Sequence, residues 1–136
     1  MSDLAAVEPI GGVQLTRDMD LVRKLLLFFD QRTEAASVEV PPIAGDYDPV
    51  FIKYHLNLLY EAAWITAEPV RSTTSDRVIY VLPFELTWQG HDFLDAIRND
   101  TVWQRTKNVI ARAGGSVPIE VMRGVANRVI QAVLNG

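Results

Sequence analysis

Cysteine is absent from the 136 residues, and this absence excludes several kinds of protein. Without thiols the chain cannot form disulfides, thiolate zinc sites or a cysteine nucleophile, and it is compatible with a reducing cytosol. No apolar run approaches the roughly 20 residues that a membrane-spanning helix needs. The first residues, MSDLAAVEPIGG, lack the basic start and apolar stretch of a signal peptide, so we expect a cytoplasmic protein without membrane contact.

Positive charge is scarce over most of the chain, whose net charge is −4. Residues 1–45 carry four bases and seven acids, and residues 46–96 carry three bases and eight acids. Residues 97–136 carry six bases and two acids, for a net charge of +4. Because proteins gain much of their affinity for DNA by neutralising phosphates, only the last third could supply a broad basic face.

What the chain does have is the composition of one globular domain, with 49% hydrophobic and 22% charged residues. Residues 1–15, which include Pro9, Gly11 and Gly12, predict a flexible leader. We place a core at residues 16–97 and a C-terminal helical extension at 98–136, within the same compact domain.

Two helices are predicted in the first half of the core. Thr16 can cap a helix that starts near Arg17 or Asp18 and runs to about residues 29–32, and Asp48 followed by Pro49 is a strong start for a helix that ends near Ala63. Between them, Ser37–Val40 is β-branched and stopped by two prolines, which predicts a short edge strand.

A β-hairpin and three more helices complete the prediction. Strands at Ile65–Val70 and Arg77–Leu82 flank the polar stretch RSTTSD. Helical spacing resumes over Leu86–Ile97, with Thr87 as a cap, and again over Thr101–Ala113. Gly114 and Gly115 break that helix, and a last helix begins after Ser116 and Pro118. The order predicts an α+β fold: a winged helix-turn-helix-like core, with a shortened helix-turn-helix and a hairpin as the wing, and a C-terminal helical extension.

Three segments resemble a family of small uncharacterised proteins of bacteria, their phages and prophages. The segments are RDMDLVRKLL (17–26), YHLNLLYEAAWI (54–65) and LTWQGHDFLDAIRNDTVWQRTK (86–107). The resemblance implies a winged-helix-like fold and a phage or prophage setting, and no catalytic residues. The stretch HLNLLYEAAWI also resembles the end of the recognition helix in winged-helix regulators, with Ala63 where glycine is usual, so we expect a slightly different helix exit.

The first candidate surface is a DNA-binding one. Lys53, Tyr54 and Asn57 would face outward from the second helix, where asparagine can read adenine and lysine can contact phosphate or guanine. Residues of the hairpin tip would hold the DNA backbone: these are Arg71, Thr73, Thr74 and Arg77. The alternative is a solvated helix face and an ordinary hairpin loop, because acidic residues lie nearby.

The last two helices supply two further candidates. Arg105, Lys107 and Arg112 could form a basic stripe, or they could simply be solvent-exposed residues of a helix surface. An apolar stripe on the final helix predicts a homodimer contact, unless it packs on the protein's own first helix; its residues are Val121, Met122, Val125, Val129, Ala132 and Val133.

Enzymatic chemistry has little support in the sequence. His91, Asp92 and Asp95 could be drawn as a metal or acid–base cluster, but adjacent side chains on a helix diverge. The stretch 114–116, GGS, lacks the lysine of a phosphate-binding loop. We therefore expect no catalytic residues, no metal and no cofactor. The three tryptophans, Trp64, Trp88 and Trp103, predict a buried seam between wing and tail, with a surface anchor for another protein as the alternative.

The resulting prediction is a small phage- or prophage-type winged-helix protein that binds double-stranded DNA or regulates transcription. The alternative is a non-catalytic protein-interaction module that binds a host or phage protein and modulates regulation or defence. The fold and the basic tail favour the first, and the acidic middle of the chain favours the second.

Overall fold

The structure is a computed structural model, and it describes residues 14–34 and 36–136. The predicted leader therefore lies, apart from its last two residues, outside the described residues. The described part forms five helices and two strands: α1 Met19–Asp30, α2 Pro49–Glu61, β1 Ile65–Arg71, β2 Val78–Leu86, α3 Trp88–Ile97, α4 Asp100–Ala111 and α5 Ile119–Asn135. The predicted α+β class is confirmed.

Side chains that cap the helices explain where they begin. The predicted caps Asp48 and Thr87 accept the N–H groups of Val50 and Gly90. Helix α1 differs from the prediction, because Asp18 rather than Thr16 accepts two N–H groups of its first turn. A carboxylate is also the better partner for the positive end of the helix dipole.

The sheet is an antiparallel pair in which Ile65 lies opposite Leu86 and Arg71 opposite Val78. Strand β2 is longer than predicted and includes Pro83. Its pairing is irregular between Thr66 and Ala67, at the step where Pro83 pairs. A bulge tolerates proline there, because the missing N–H interrupts a ladder that is already broken.

The predicted edge strand at Ser37–Val40 is wrong: no residue of it pairs into the sheet. Side chains hold this irregular connection instead. Arg32 donates to the carbonyl oxygens of Ala36 and Phe84, and Lys24 donates to Ala44 O at 3.2 Å. The two prolines that follow the segment offer no N–H for a ladder.

The core sits between α1, α3 and the inner faces of α2 and the hairpin. At its centre lie Leu21, Leu25 and Leu26 of α1, all fully buried with Phe93 of α3. Helix α5 packs on α4 and α3 rather than chiefly on α1. No helix of the described part is long and apolar enough to cross a membrane.

A tight corner joins α2 to β1 and α3. The different helix exit expected from alanine at position 63 is wrong, because Ala63 adopts φ 60° and the helix ends in the left-handed turn that glycine usually makes. Thr87 donates its N–H to Trp64 O at 3.0 Å and its hydroxyl to Ala63 O at 2.5 Å. A Cβ on Gly90 would lie 2.1 Å from Trp64 O, so only glycine allows this approach of α3.

Candidate interaction surfaces

The outer face of α2, predicted to enter a DNA groove, is engaged by the rest of the chain. Lys53 Nζ lies 2.6 Å from Glu39 Oε2 and 4.7 Å from the centre of the Tyr80 ring. The irregular segment that replaces the predicted strand thus supplies a carboxylate to this lysine. Its charge is already compensated within the fold.

The other two residues of that face are also partly covered. Tyr54 is half-buried, with its ring 5.5 Å from that of His55 in an edge-on arrangement. Asn57 is half-buried too, and its side-chain oxygen is buried without a hydrogen-bond partner in the described residues. The three residues share one helix, and all three are half-buried.

The hairpin tip does bring its predicted residues together at the surface. Arg71, Thr73, Thr74 and Arg77 are all exposed. Arg71 Nη1 donates to Asp76 O at 2.8 Å, which folds the guanidinium over the turn. The strands below add exposed carboxylates at Glu68 and Glu85. Two arginines therefore stand on an otherwise acidic hairpin.

A network of charged side chains joins α1 to the helices that follow the hairpin. Asp20 Oδ1 accepts the indole N–H of Trp103 at 2.8 Å and Lys107 Nζ at 2.9 Å. Partial burial raises the pKa of Asp20, but the hydrogen bonds from Lys107 and Trp103 outweigh it, so the pKa is lowered. Lys107 therefore points toward α1 and not along a basic stripe.

A second group of hydrogen bonds and ion pairs joins α1 to the end of α3 and the start of α4. Arg23 donates to Ile97 O at 2.8 Å and forms an ion pair with Asp100 at 2.6 Å. Arg98 pairs with Asp30 at 2.7 Å and with Asp95 at 3.1 Å. The hydrogen bond from Arg98 lowers the pKa of Asp30, and the two carboxylates raise the pKa of Arg98. Two of the tail's six basic residues, Arg98 and Lys107, are thus paired with carboxylates inside the fold.

The remaining members of the predicted basic stripe are both exposed: Arg105 lies on α4, and Arg112 follows its last residue, Ala111. No ion pair within residues 14–34 and 36–136 includes either of them. Both line a groove of about 290 Å³ between α4 and α5, whose other lining residues are Asn108, Val109, Val129 and Ala132. The stripe predicted from sequence is therefore split between two faces of one helix.

The predicted dimer stripe on α5 is split as well. Met122 lies in the core with only 4% of its surface exposed. Val125 and Val129 are half-buried, whereas Val121, Ala132 and Val133 are exposed. From Asn127 onward, no residue of α5 is buried. A surface for a partner is therefore confined to the second half of the helix and the isolated Val121.

Two of the three tryptophans form the predicted seam. Trp64 stacks on Phe93 with ring centres 4.3 Å apart, and Trp103 is buried. The prediction is wrong for Trp88, which is 82% exposed as the first residue of α3. Helical spacing could not reveal this, because a first-turn residue on either face fits the pattern.

The histidines do not assemble a metal site. His91 Nδ1 lies 3.6 Å from Asp30 Oδ1, while Asp95 is paired with Arg98. No group of three ligating side chains occurs within the part of the chain that is described. Gly114 and Gly115 both have positive φ and form the turn between α4 and α5.

His55 is a structural residue that the sequence analysis did not single out. It is fully buried, and its Nε2 accepts the N–H of Asp18 at 2.8 Å. Its Nδ1 lies 2.9 Å from Phe51 O, an acceptor, so Nδ1 carries the proton. Because Nε2 accepts a hydrogen bond and therefore carries no proton, the ring is neutral. Burial accordingly lowers the pKa of His55. The imidazole thereby ties the start of α1 to α2.

Comparison with known proteins agrees with the resemblance seen in the sequence. Residues 16–116 match the model of a protein family described as hypothetical protein (DUF2513). The chain belongs to the DUF2513 family. It is similar to an uncharacterized protein of Haemophilus influenzae, with 34% identity over 120 residues that cover 88% of this chain and 99% of the relative. No solved structure matches the chain.

The three segments that carry the DUF2513 resemblance meet in the structure. The first supplies Asp20, and the third supplies its partners Trp103 and Lys107. The second ends in the corner at Trp64, against which Gly90 of the third segment packs. These contacts between the three segments hold the fold together. The family match ends at residue 116, before α5 begins.

Proposed function

We propose that this DUF2513 protein is a non-catalytic module that binds another protein. The observation that carries the proposal is Trp88, which exposes 82% of its surface on a rigid helix end capped by Thr87. Tryptophan is enriched at the energetic centres of protein interfaces, because a large rigid ring buries much area at little entropic cost. The other two tryptophans are buried, so Trp88 alone of the three exposes its ring to solvent.

The state of the predicted DNA-binding helix also favours this proposal. Lys53 is paired with Glu39, and Asn57 turns its oxygen inward. A DNA-binding helix would have to break such contacts before it could enter a groove, and the surrounding acids would repel phosphates. A protein partner with an apolar pocket for an indole meets no such obstacle.

A pull-down from host lysate tests the proposal. Tagged wild-type protein, Trp88→Ala and the matched control Gln89→Ala, whose side chain is also exposed, are compared with and without nuclease. Wild type and the control should retain a stoichiometric protein after nuclease, and Trp88→Ala should lose about tenfold or more of it. Recovery that disappears with nuclease, or a partner that is indifferent to Trp88, would overturn the proposal.

DNA binding is the second candidate function, and the exposed hairpin tip favours it. In this proposal a winged-helix protein of a phage or prophage regulates transcription, and Arg71 and Arg77 contact phosphates beside Thr73 and Thr74. The slope of log binding constant against log salt should then shrink by roughly two when both arginines become glutamine. Lys53→Gln should leave it unchanged, since that charge is already paired. An unchanged slope in the double variant refutes this candidate.

A further inference from the structure

The groove between α4 and α5 is lined by apolar and basic residues. Its apolar floor is defined by Val109, Val129 and Ala132, and Arg105, Asn108 and Arg112 also line it. Val109 remains 38% exposed although it faces the neighbouring helix. Val133, the residue after Ala132 on α5, is 48% exposed. Exposed apolar surface that lines a groove marks a place where another surface can pack.

The two arginines have a defined spacing. Arg105 lies on α4 and Arg112, seven residues later, caps its C-terminal end with helical backbone angles, which places them two turns and roughly 10 Å apart along the axis. Neither belongs to an ion pair among the described residues, in contrast to Arg23, Arg98 and Lys107. Two available guanidiniums on one ridge can each bind a carboxylate on a facing segment.

We propose that this groove binds an amphipathic helix of the partner protein, with apolar residues at i, i+3 or i+4 and i+7 and carboxylates two turns apart. The proposal rests on the function proposed above. The apolar residues lie on Val109, Val129 and Ala132, and the carboxylates pair with Arg105 and Arg112. Helix-in-groove recognition of this type draws its affinity from the apolar anchors and its orientation from the charges.

Charge also decides against two other occupants. A second copy of this chain would bring its own Arg105 and Arg112 to the same two-fold interface, and no acidic residue lines the groove to compensate them. A nucleic acid strand would gain only two phosphate contacts and would cover valines with a polar backbone. An acidic amphipathic helix satisfies both the charge and the apolar floor.

Selection from a displayed library of random 16-residue peptides tests the proposal. The bait is the full-length protein, and Arg105→Gln with Arg112→Gln serves for counter-selection. Enriched peptides should be acidic with a helical apolar stripe, and their Kd should rise about tenfold in the double variant, as expected for two partly desolvated ion pairs. Arg128→Gln is the matched control, since Arg128 is exposed on α5 but does not line the groove, and it should change the Kd less than twofold.

Four results would overturn the proposal. They are the absence of enriched peptides, enrichment of basic peptides, a Kd that the double arginine variant leaves unchanged, and a concentration-dependent dimer in light scattering that Val129→Ser abolishes. Because the Trp88 pull-down does not involve the groove, a failure here with a Trp88-dependent partner there refutes only the groove. Loss of both refutes the interaction module itself.

Discussion

Helix α4 has two faces that use the same kinds of side chain in opposite ways. On the inner face, Trp103 and Lys107 both bond to Asp20 of α1. On the outer face, Arg105 and Val109 remain exposed beside α5, together with Arg112 at the C-terminal cap of the helix. The difference teaches that basic residues close together in sequence can be divided by helical geometry into a group that bonds within the fold and a group that stays exposed.

The largest expected effect contrasts the tight corner with the open helix α5. Gly90→Ala places a methyl group against the backbone carbonyl of Trp64, which cannot swing aside, so the free energy of unfolding should fall by about 3 kcal/mol. Gly124→Ala is the matched control, because nothing lies within 4 Å of a Cβ there. It should raise the free energy of unfolding by roughly 0.5–1 kcal/mol. Urea unfolding followed by circular dichroism measures both, and equal effects would refute the close approach of α3.

The next effect separates the two faces of α4. Asp20→Ala leaves the buried indole N–H of Trp103 without its acceptor, which should cost about 1–3 kcal/mol of stability. Arg112→Ala, on the outer face, should change stability by less than about 0.5 kcal/mol. Thermal unfolding compares the two variants. If Arg112→Ala proved as costly as Asp20→Ala, the outer face would also be structural.

The pH dependence of stability distinguishes the hydrogen bond of His55, which joins α1 to α2, from the ion pairs of Asp20 and Asp30. The folded chain keeps His55 neutral, while the unfolded chain takes up a proton near pH 6.5. The contribution of His55 to the free energy of unfolding should therefore be greatest above pH 6.5 and should decrease as the pH falls toward the lowered pKa of His55. Asp20 and Asp30, with pKa values lowered from 3.8, should add a second loss only as the pH falls below that value.

Two variants test which residue causes the loss of stability in each pH range. His55→Gln should abolish the loss that begins near pH 6.5 and leave the acidic one, and Asp20→Asn should reduce the acidic one alone. Denaturant unfolding from pH 8 to pH 3 provides the measurement. Persistence of the upper transition in His55→Gln would mean that a different group controls it.

The smallest effect concerns the exit of α2. Ala63→Gly removes the steric cost of a Cβ at φ 60°, and glycine's greater freedom in the unfolded chain offsets part of that gain. The net result should be a stabilisation of about 0.5–1 kcal/mol in urea unfolding. A destabilised variant would show that the methyl group of Ala63 contributes packing.

Local signals explain what could be predicted. Asp48 with Pro49, and Thr87, were placed correctly as helix starts because capping depends on a few neighbouring residues. The hairpin followed from alternating residues around RSTTSD. The error at Ser37–Val40 has a different origin: a strand exists only if another strand offers free groups in register, and Arg32 instead occupies the carbonyl of Phe84.

The candidate surfaces were predictable only as lists of residues. Periodicity placed Met122 and Val129 on one stripe, but the stripe is wider than the contact α5 makes, so one is buried and the other lines a groove. In the sequence, Lys53 and Lys107 look like ordinary surface cations. In the fold, Lys53 pairs with Glu39, 14 residues away, and Lys107 pairs with Asp20, 87 residues away.

The sequence by itself determined the α+β class, the starts of α2 and α3 and the membership of the DUF2513 family, because these depend on short-range pattern. Tertiary structure alone decided which of three tryptophans is exposed and which tail cations, such as Lys107, pair with a carboxylate. The physical reason is that burial and charge pairing are properties of two surfaces together. A single segment encodes only one of them.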